Sequence, residues 1–310
     1  MQAECSALRR EDVYAVVVTY RPELPLLEEA INAVLPQVGR MLVFDNATAD
    51  LQYKAWLDQA EARERIEVLR SPANVGLGAA INQAWQRARA AGFRHLLLLD
   101  QDSVADPAMV ATLHDALARL RRERPVAAVG PAFHDARDGS AAPFVRIGFP
   151  LNHKLHGAPG QCIECDFLIT SGSLLPLNVL ERIGGMDAGL FIDNVDLDWS
   201  FRARSHGHAL YGVCDAGMRH RIGDRLRRVP GLRNPVQIHG PVRLYYMMRN
   251  RVLLYRRAHV PRTWVAQDVP RLLLKFAGMS LFVRPRLANL RAMLRGIAHG
   301  IAGRDGPMPG

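Results

Sequence analysis

The chain has 310 residues, 49% of which are hydrophobic, and its mean hydropathy is −0.05. This size and composition predict one large packed domain, with or without an appendage, and exclude an intrinsically disordered protein. The net charge of +10 is uneven, because residues 219–310 hold 19 Lys and Arg but three acidic residues.

Apolar runs alternate with helix-forming segments through the first two-thirds of the chain. Strands are predicted at residues 13–20, 41–45, 66–69, 96–99, 126–130 and 211–213, and helices at 24–35, 79–91 and 106–121, the last capped by Asp106. Strands separated by helices form right-handed βαβ units. We therefore predict an α/β fold with a mostly parallel central sheet flanked by helices. The long segment 131–161 is predicted as a functional or mobile loop.

Two carboxylates follow the most apolar of these strands. The run Leu96–Leu99 ends in Asp100-Gln101-Asp102. Four leucines in a row are typical of a strand buried on both faces, and open α/β sheets bind ligands at the carboxyl ends of such strands. Two acids at that place repel each other unless a cation lies between them. The pattern indicates a divalent metal ion that holds a phosphate, with a solvated turn as the alternative.

Other polar groups are predicted at the same edge of the sheet. The first strand ends in Thr19-Tyr20-Arg21 and the second in Asp45, so these residues can converge on one ligand. Asn74-Val-Gly76-Leu-Gly78 precedes a helix, whose free N–H groups suit an anion or a close approach of backbone. The glycine spacing does not match a dinucleotide-binding turn after the first strand, which argues against a dehydrogenase.

Further candidate site residues lie downstream. Asp193 and Asp196 are three residues apart, so on a helix they would share a face, as a general base in a cleft or as caps of a solvated first turn. The turn Ser171-Gly172-Ser173 suits a sugar hydroxyl. His220 is a candidate metal ligand or a structural histidine. Arg249 follows two tyrosines and suits a pyrophosphate.

The basic tail has an amphipathic pattern. Arg and Lys alternate with Leu, Met and Phe at helical spacing, as in residues 271–276 and 291–295. This pattern fits the anionic cytoplasmic face of a membrane, and the alternatives are nucleic acid or a helix packed on the domain. Residues 1–12 show no secretory signal, no apolar run approaches the roughly 20 residues of a membrane span, and the four cysteines are too scattered for a disulfide framework. We therefore expect a cytoplasmic protein on the inner face of the cytoplasmic membrane.

The motifs taken together resemble those of a known enzyme family. In chain order they are VVVTY, FDN, N-x-G-x-G, LDQD, TSGS, FIDNVDLDW, a histidine and YYxxRN. This order resembles the inverting family 2 glycosyltransferases of the GT-A fold. FID-x-VD, IHGPVRLYYMMRN and GIAHGIAGRDG more narrowly resemble the bacterial rhamnosyltransferases of surface polysaccharide and O-antigen synthesis. The resemblance covers roughly residues 13–306. It implies a tail at 1–12, a catalytic domain at 13–235 and a basic helical extension at 236–310.

The resemblance also implies roles for individual residues. Those expected to border the nucleotide are Thr19, Tyr20, Arg21, Asp45, Asn74, Gly76 and Asp100. The expected ligands of Mg²⁺ or Mn²⁺ are Asp102, Asp100 and His220. Arg249 would steady the leaving pyrophosphate, and the turn Ser171-Gly172-Ser173 would contact the sugar or the acceptor. The family has a Glu-Asp pair where this chain has Asp193-Asn194. Since an amide is no base, the catalytic base would be Asp193 or Asp196, and we favour Asp193.

The implied substrates are dTDP-L-rhamnose and a lipid-linked oligosaccharide. The main alternative is the same chemistry with a UDP- or GDP-linked hexose or galactofuranose. A nucleic-acid-binding protein is disfavoured, because residues 1–218 carry a net charge of −6 that opposes a polyanion. A sugar-nucleotide pyrophosphorylase would need a glycine-rich basic loop after the first strand, where this chain has Tyr20-Arg21-Pro22-Glu23.

Overall fold

The computed structural model describes residues 9–135, 141–220, 225–227 and 236–309. Its strands are β1 (Arg10–Thr19), β2 (Val38–Asp45), β3 (Ile66–Arg70), β4 (His95–Leu99), β5 (Ser103–Ala105), β6 (Val126–Asp135), β7 (Phe144–Arg146), β8 (His153–Leu155), β9 (Cys162–Cys165), β10 (Leu174–Pro176), β11 (Ala209–His220), β12 (Arg225–Arg227) and β13 (Val236–Ile238). Its helices are α1 (Leu24–Val34), α2 (Leu51–Glu61), α3 (Leu77–Ala90), α4 (Met109–Leu120), α5 (Leu177–Ile183), α6 (Val195–Ser205), α7 (Pro241–Tyr255), α8 (Arg262–Leu281) and α9 (Arg286–Ile301).

A nine-stranded sheet forms the centre of the molecule. Its order is β3-β2-β1-β4-β10-β6-β11-β5, and β9 pairs with β11. The longest ladders, β1 with β2 and β6 with β11, are parallel, and β10 enters between β4 and β6 as a short antiparallel strand. The predicted mostly parallel sheet is confirmed. The carboxyl ends of β1, β2 and β4 lie at one edge, as parallel pairing requires.

Helices cover both faces of the sheet. Alternate residues of β1 point to opposite sides, so Val13 and Val17 pack with residues of α1, α2 and α4, whereas Tyr14 and Val16 pack with residues of α3, α5 and α6. A strand buried on both sides needs apolar residues at every position, which explains the unbroken runs in the sequence.

Three of the differences between the predicted and the observed elements have a clear physical reason or bear on the site. Helix α4 begins at Met109, because Asp106 is held by the sheet, where its N–H donates to the Gly217 carbonyl. Within the predicted loop 131–161, β6 continues to Asp135, and β7 and β8 form a hairpin. Strand β11 runs on to His220, because an irregularity between Val213 and Gly217 lets it keep its pairing with β6.

The helical extension packs on the sheet domain. Leu254, Val260 and Trp264 join the core that lies under α3, α5 and α6. Leu244, Met248, Leu272, Met279, Val283 and Met293 form a smaller core between α7, α8 and α9. The boundary at residue 236 stays a prediction. Among the described helices, none is both long enough and apolar enough to cross a membrane.

Candidate active site

The acidic pair lies at the carboxyl edge of the sheet. Asp100-Gln101-Asp102 forms the turn between β4 and β5, and both aspartates are partly exposed. Ser103, the next residue, pairs with His220 at the end of β11. This antiparallel register brings the backbone of His220 beside the acidic turn. The side chain of His220 lies outside the described residues.

The turn at residues 170–173 supports the end of β4. Ser171 Oγ accepts a hydrogen bond from the Asp100 N–H at 3.2 Å, and the Gly172 N–H donates to the Leu98 carbonyl at 2.7 Å. Ser173 Oγ donates to the Ile169 carbonyl at 2.6 Å. Both serines are buried. The structure therefore places their hydroxyls in the scaffold, and contact with a sugar stays a prediction.

The end of β1 presents one buried and two exposed side chains. Thr19 is buried, and its hydroxyl donates to the Phe44 carbonyl at 3.0 Å. Tyr20 and Arg21 are exposed, and the Arg21 guanidinium lies 5.1 Å from the centre of the Tyr20 ring. The Tyr20 N–H donates to Gln101 Oε1 at 2.9 Å. Tyr20 and its neighbour Arg21 therefore border the acidic turn.

The neighbouring loops are tied by side-chain amide and carboxylate groups. Asp45 is buried and accepts from the Thr48 N–H at 2.9 Å. Asn74 Oδ1 accepts from the Gly76 N–H at 2.9 Å, which is a local turn. Gly76 has φ +81°, and a Cβ there would lie 2.6 Å from the Phe191 carbonyl oxygen. The glycine pattern thus serves a close approach of backbone, the second of the two predicted uses.

The loop that carries the candidate bases has an unusual backbone. Phe191, Asp193 and Asn194 have φ of +65°, +63° and +64°. Such angles are uncommon for residues with a side chain, although Asp and Asn tolerate them best, and they cluster at functional sites. Helix α6 begins at Val195, so Asp193 precedes the helix and Asp196 lies in its first turn. The two acids therefore do not share a helical face as predicted.

Two adjacent residues of α7 hold this loop. Asn250 Nδ2 donates to the carbonyls of Leu190, Ile192 and Asp193 at 2.9, 2.7 and 2.8 Å. The Arg249 guanidinium donates to the carbonyls of Gly189 and Leu190 at 3.0 and 2.9 Å and to that of Gly306. Arg249 is fully buried. It supports the loop in this structure, and its contact with a pyrophosphate stays a prediction.

Residues near 306 complete the support of the loop. The Gly306 N–H donates to the Gly189 carbonyl at 2.7 Å, and the Met308 N–H donates to the Tyr246 hydroxyl at 2.7 Å. The Tyr246 ring stacks on Phe191 with 5.0 Å between ring centres. The loop is therefore fixed by groups that come more than fifty residues later in the chain.

The two candidate bases have different surroundings. Asp193 accepts from Arg243 Nε and Nη2 at 3.2 and 3.1 Å, so its carboxylate is engaged by a guanidinium. Asp196 accepts from the N–H groups of Leu197 and Thr170 at 2.8 and 3.2 Å. Burial raises the pKa of Asp196 to about 6, and the charges of Asp100 and Asp193 act in the same direction.

A cavity of about 330 Å³ opens beside Asp196. Asn194 and Asp196 line one side of it, and Arg251, Arg271 and Lys275 from α7 and α8 line another. Burial lowers the pKa of Lys275 to about 8, with the charge of Arg251 as the next cause.

The sequence reasoning missed these three cations as site residues, because it assigned the basic residues of the tail to a membrane surface. Arg271 and Lys275 are four residues apart, so they lie on one face of a helix. This spacing is the signal in the sequence that could have indicated a shared site. Only the packing of α8 on the domain brings that face to Asp196.

The sequence of this chain is similar to those of known proteins. Residues 14–169 match the family model described as glycosyl transferase family 2. The chain is 32% identical over 252 residues to the dTDP-rhamnosyl transferase RfbF of Shigella flexneri, a match that covers 81% of this chain and 82% of that protein.

Three solved structures illustrate the similarity of fold. GalNAc-T7 with UDP, GalNAc and Mn²⁺ matches with a TM-score of 0.57 at 14% identity over 84% of this chain, which spans about half (54%) of that structure. Residues 1–349 of S. aureus TarS match at 0.52 and 15% identity over 94% of this chain and 82% of theirs. The mannosyltransferase PcManGT of Pyrobaculum calidifontis, with GDP-Man and Mn²⁺, matches at 0.51 and 19% identity over 94% and 75%. These likenesses agree with the predicted GT-A fold class.

Proposed function

The chain belongs to glycosyl transferase family 2, and from this membership we propose that it transfers L-rhamnose from dTDP-L-rhamnose to a lipid-linked oligosaccharide. It is a glycosyltransferase of the GT-A fold. The rhamnose donor is supported by the similarity to the Shigella flexneri transferase, whose name states that donor, over four-fifths of both chains. A UDP- or GDP-linked sugar is the alternative.

The observation that carries the proposal is the convergence of acidic groups at one sheet edge beside a cavity. Thr170 donates to Asp196 through its N–H, and Ser171 accepts from the N–H of Asp100, so one turn joins both acidic segments. The exposed side chains of Tyr20 and Arg21 border the same place. This arrangement supports a donor at the acidic turn and an acceptor in the cavity.

The residues of the acidic turn fit a divalent cation. Asp100 and Asp102 offer carboxylate oxygens, the donors that Mg²⁺ and Mn²⁺ prefer. The charge of Asp100 contributes to the raised pKa of Asp196, which marks an excess of negative charge at this edge. We assign Asp102 and Asp100 as ligands, with His220 as a further one. A cation bound here would neutralise charge on the departing nucleoside diphosphate.

The catalytic base in this proposal is Asp196, with Asp193 as the alternative. Asp196 lines the cavity, and its raised pKa suits a group that accepts a proton near neutral pH. Asp193 is bound by Arg243. The base takes the proton of an acceptor hydroxyl while that oxygen bonds to the anomeric carbon. The bond from that carbon to the diphosphate breaks in the same step, so the configuration inverts.

The cavity suits an acceptor that carries an anionic group. Arg251, Arg271 and Lys275 face it, and Asp268 forms an ion pair with Arg251 at 3.0 Å, which leaves an excess of positive charge. A phosphate of a lipid carrier fits these cations while the sugar hydroxyl lies near Asp196. Residence at the inner face of the cytoplasmic membrane would bring such an acceptor to the cavity.

The test is thermal stabilisation by dTDP, UDP, GDP and dTDP-rhamnose, each with and without Mn²⁺. A ligand that binds the native state raises the melting temperature by mass action. We expect a Mn²⁺-dependent rise with dTDP compounds alone, followed by rhamnose transfer that Asp102→Ala abolishes. A rise in melting temperature with UDP or GDP alone would mean that the donor is a sugar linked to that nucleotide and not to dTDP. Near-normal activity of Asp102→Ala would overturn the metal assignment.

A further inference from the structure

A cluster of metal-ligating side chains lies at the amino end of β1 and β4. Asp12 belongs to β1, His95 is the first residue of β4, and His114 lies on α4. Asp12 lies between the two imidazoles: His95 Nδ1 is 3.1 Å from Asp12 Oδ2, and His114 Nε2 is 3.3 Å from Asp12 Oδ1. One ligand atom from each residue lies within 4.8 Å of the other two.

The cluster is separate from the acidic turn. Val13 pairs with His95 in the parallel ladder of β1 and β4, whereas Asp100 follows the other end of β4. Asp100 lies five positions beyond His95 along the extended strand, which amounts to about 16 Å. A cation at Asp12 therefore cannot be the cation proposed at Asp102.

The two distances from Asp12 to the imidazole nitrogens fit a small tetrahedral ion. Ligand bonds of about 2.0–2.2 Å in tetrahedral geometry place neighbouring ligand atoms about 3.3 Å apart. Asp12 Oδ2 lies 3.1 Å from His95 Nδ1 and 3.3 Å from His114 Nε2, and both distances agree with that spacing. The two imidazole nitrogens lie within 4.8 Å of each other. Two imidazoles and one carboxylate are a ligand set that zinc uses in proteins, with the fourth position left to water.

The surroundings of the cluster support ligation. His114 Nδ1 lies 3.5 Å from Asp115 Oδ1, which orients the ring so that Nε2 points to Asp12. Carboxylates in this outer position are common partners of metal-bound histidines. Arg10 is the nearby cation, and it pairs with Asp115 at 2.9 Å, so its repulsion of a metal ion is partly offset.

We propose that Asp12, His95 and His114 bind Zn²⁺ at a second metal site, remote from the site of transfer. The ion links β1, β4 and α4, which are elements from three separate parts of the chain. Its role is structural, because the cluster lies at the edge of the sheet away from the acidic turn. The proposal does not depend on the identity of the sugar donor.

The test uses Co²⁺ as a spectroscopic probe on the metal-free full chain. We expect one equivalent of Co²⁺ to give the strong visible absorption of a tetrahedral site in the unaltered protein and in Asp102→Ala. His95→Gln and His114→Gln should each lose at least about tenfold in affinity. The control His206→Gln, which changes an exposed histidine at the end of α6, should bind like the unaltered protein.

Two results would overturn the site. One is a folded protein that shows no tetrahedral absorption with Co²⁺ and no rise in melting temperature with Zn²⁺. The cluster would then be only an aspartate bonded to two histidines. The other is absorption that persists in both histidine variants, which would place the ion elsewhere. Far-UV circular dichroism of each variant separates loss of binding from loss of fold.

Discussion

At the scale of the residue, Gly76 meets two constraints. Its φ of +81° and ψ of 169° lie in a region open essentially only to glycine, and a Cβ would lie 2.6 Å from the Phe191 carbonyl oxygen. We expect Gly76→Ala to lower the free energy of unfolding by about 2–4 kcal/mol, as judged by denaturant titration.

Gly92→Ala is the matched control for that substitution. Gly92 also has a positive φ, +79°, but no atom of the described residues lies within 4 Å of a Cβ built there. We expect Gly92→Ala to lower the free energy of unfolding by about 1 kcal/mol, because alanine only loses the backbone preference for a negative φ there. Equal losses in the two variants would mean that the loop 191–194 moves away from Gly76 without cost.

Asp196 should govern the acid limb of the pH–rate profile. A base must be ionised, so kcat/KM should fall as the pH drops below about 6, the raised pKa of this carboxyl. A cation beside Asp100 stabilises the ionised form and moves the limb to lower pH. The same burial lowers the free energy of unfolding as the pH rises from about 4 to 6. In that range the Asp196 carboxyl is ionised in the unfolded chain but still largely protonated in the folded protein.

Asparagine substitutions separate the two candidate bases. Asp196→Asn should remove most of kcat and abolish the acid limb, whereas Asp193→Asn should keep the limb and lower activity less. The measurement is kcat/KM for transfer from pH 4.5 to 8. The opposite pattern would assign the base to Asp193, which the sequence reasoning favoured.

At the scale of the element, the contact between α7 and the loop 189–193 is expected to control turnover. Asn250→Ala removes the donor to three carbonyls of the loop. We expect it to cost about 1–3 kcal/mol of stability and to lower kcat more than tenfold, because loss of the clamp displaces Asp193 and Asp196.

Asn289→Ala supplies the comparison for Asn250→Ala. Asn289 is also buried, and its Nδ2 donates to the carbonyls of Met279 and Val283, which are remote in sequence from the loop. It should lose stability and keep kcat within about twofold. If the two variants lost kcat to the same degree, the effect would come from general loosening and not from the loop.

The sequence predicted the elements whose signals are local. The run Leu96–Leu99 followed by two acids was placed correctly at the carboxyl edge, because a buried strand needs apolar residues at every position. The family was identified from short motifs in the right order, and this is confirmed. The predicted start of α4 at Asp106 was wrong, since a tertiary bond to Gly217 overrides the Asp-Pro signal.

Other features depend on packing and had no local signal. The positive φ of Asp193 and Asn194 occurs in a loop whose carbonyls accept hydrogen bonds from α7, a contact that spacing along the chain does not report. The cations of the cavity are likewise brought to Asp196 by the fold of α8. Such arrangements follow from contacts between residues more than fifty positions apart, which periodicity does not report.

At the scale of the whole molecule, exposed apolar side chains lie on α8 and on the neighbouring loop 149–151. Leu273 and Leu274 on α8 are 64% and 73% exposed, and Phe282 follows the same helix. Phe149 and Leu151 are also exposed, and their loop contacts α8 through a hydrogen bond from the Gln267 side chain to the Gly148 carbonyl. Basic residues such as Arg271 lie among them. This surface supports the proposed contact with an anionic membrane.

Flotation with vesicles rich in anionic lipid tests that surface. Leu273→Ser combined with Leu274→Ser should reduce binding several-fold, and salt should weaken the binding of the unaltered protein. Leu51→Ser, at an 80% exposed position on α2, should change nothing. Binding that is absent from the start, or insensitive to salt, would count against an electrostatic anchor.

The late partners of the loop 189–193 have a consequence for biosynthesis. A nascent chain that has left the ribosome up to residue 240 already holds the acidic turn and the end of β1, but it lacks Asn250, Gly306 and Met308. The acidic turn and the loop that carries the candidate bases should therefore become ordered at different times during translation. The loop is fixed last, after the residues that bind its backbone have been synthesised.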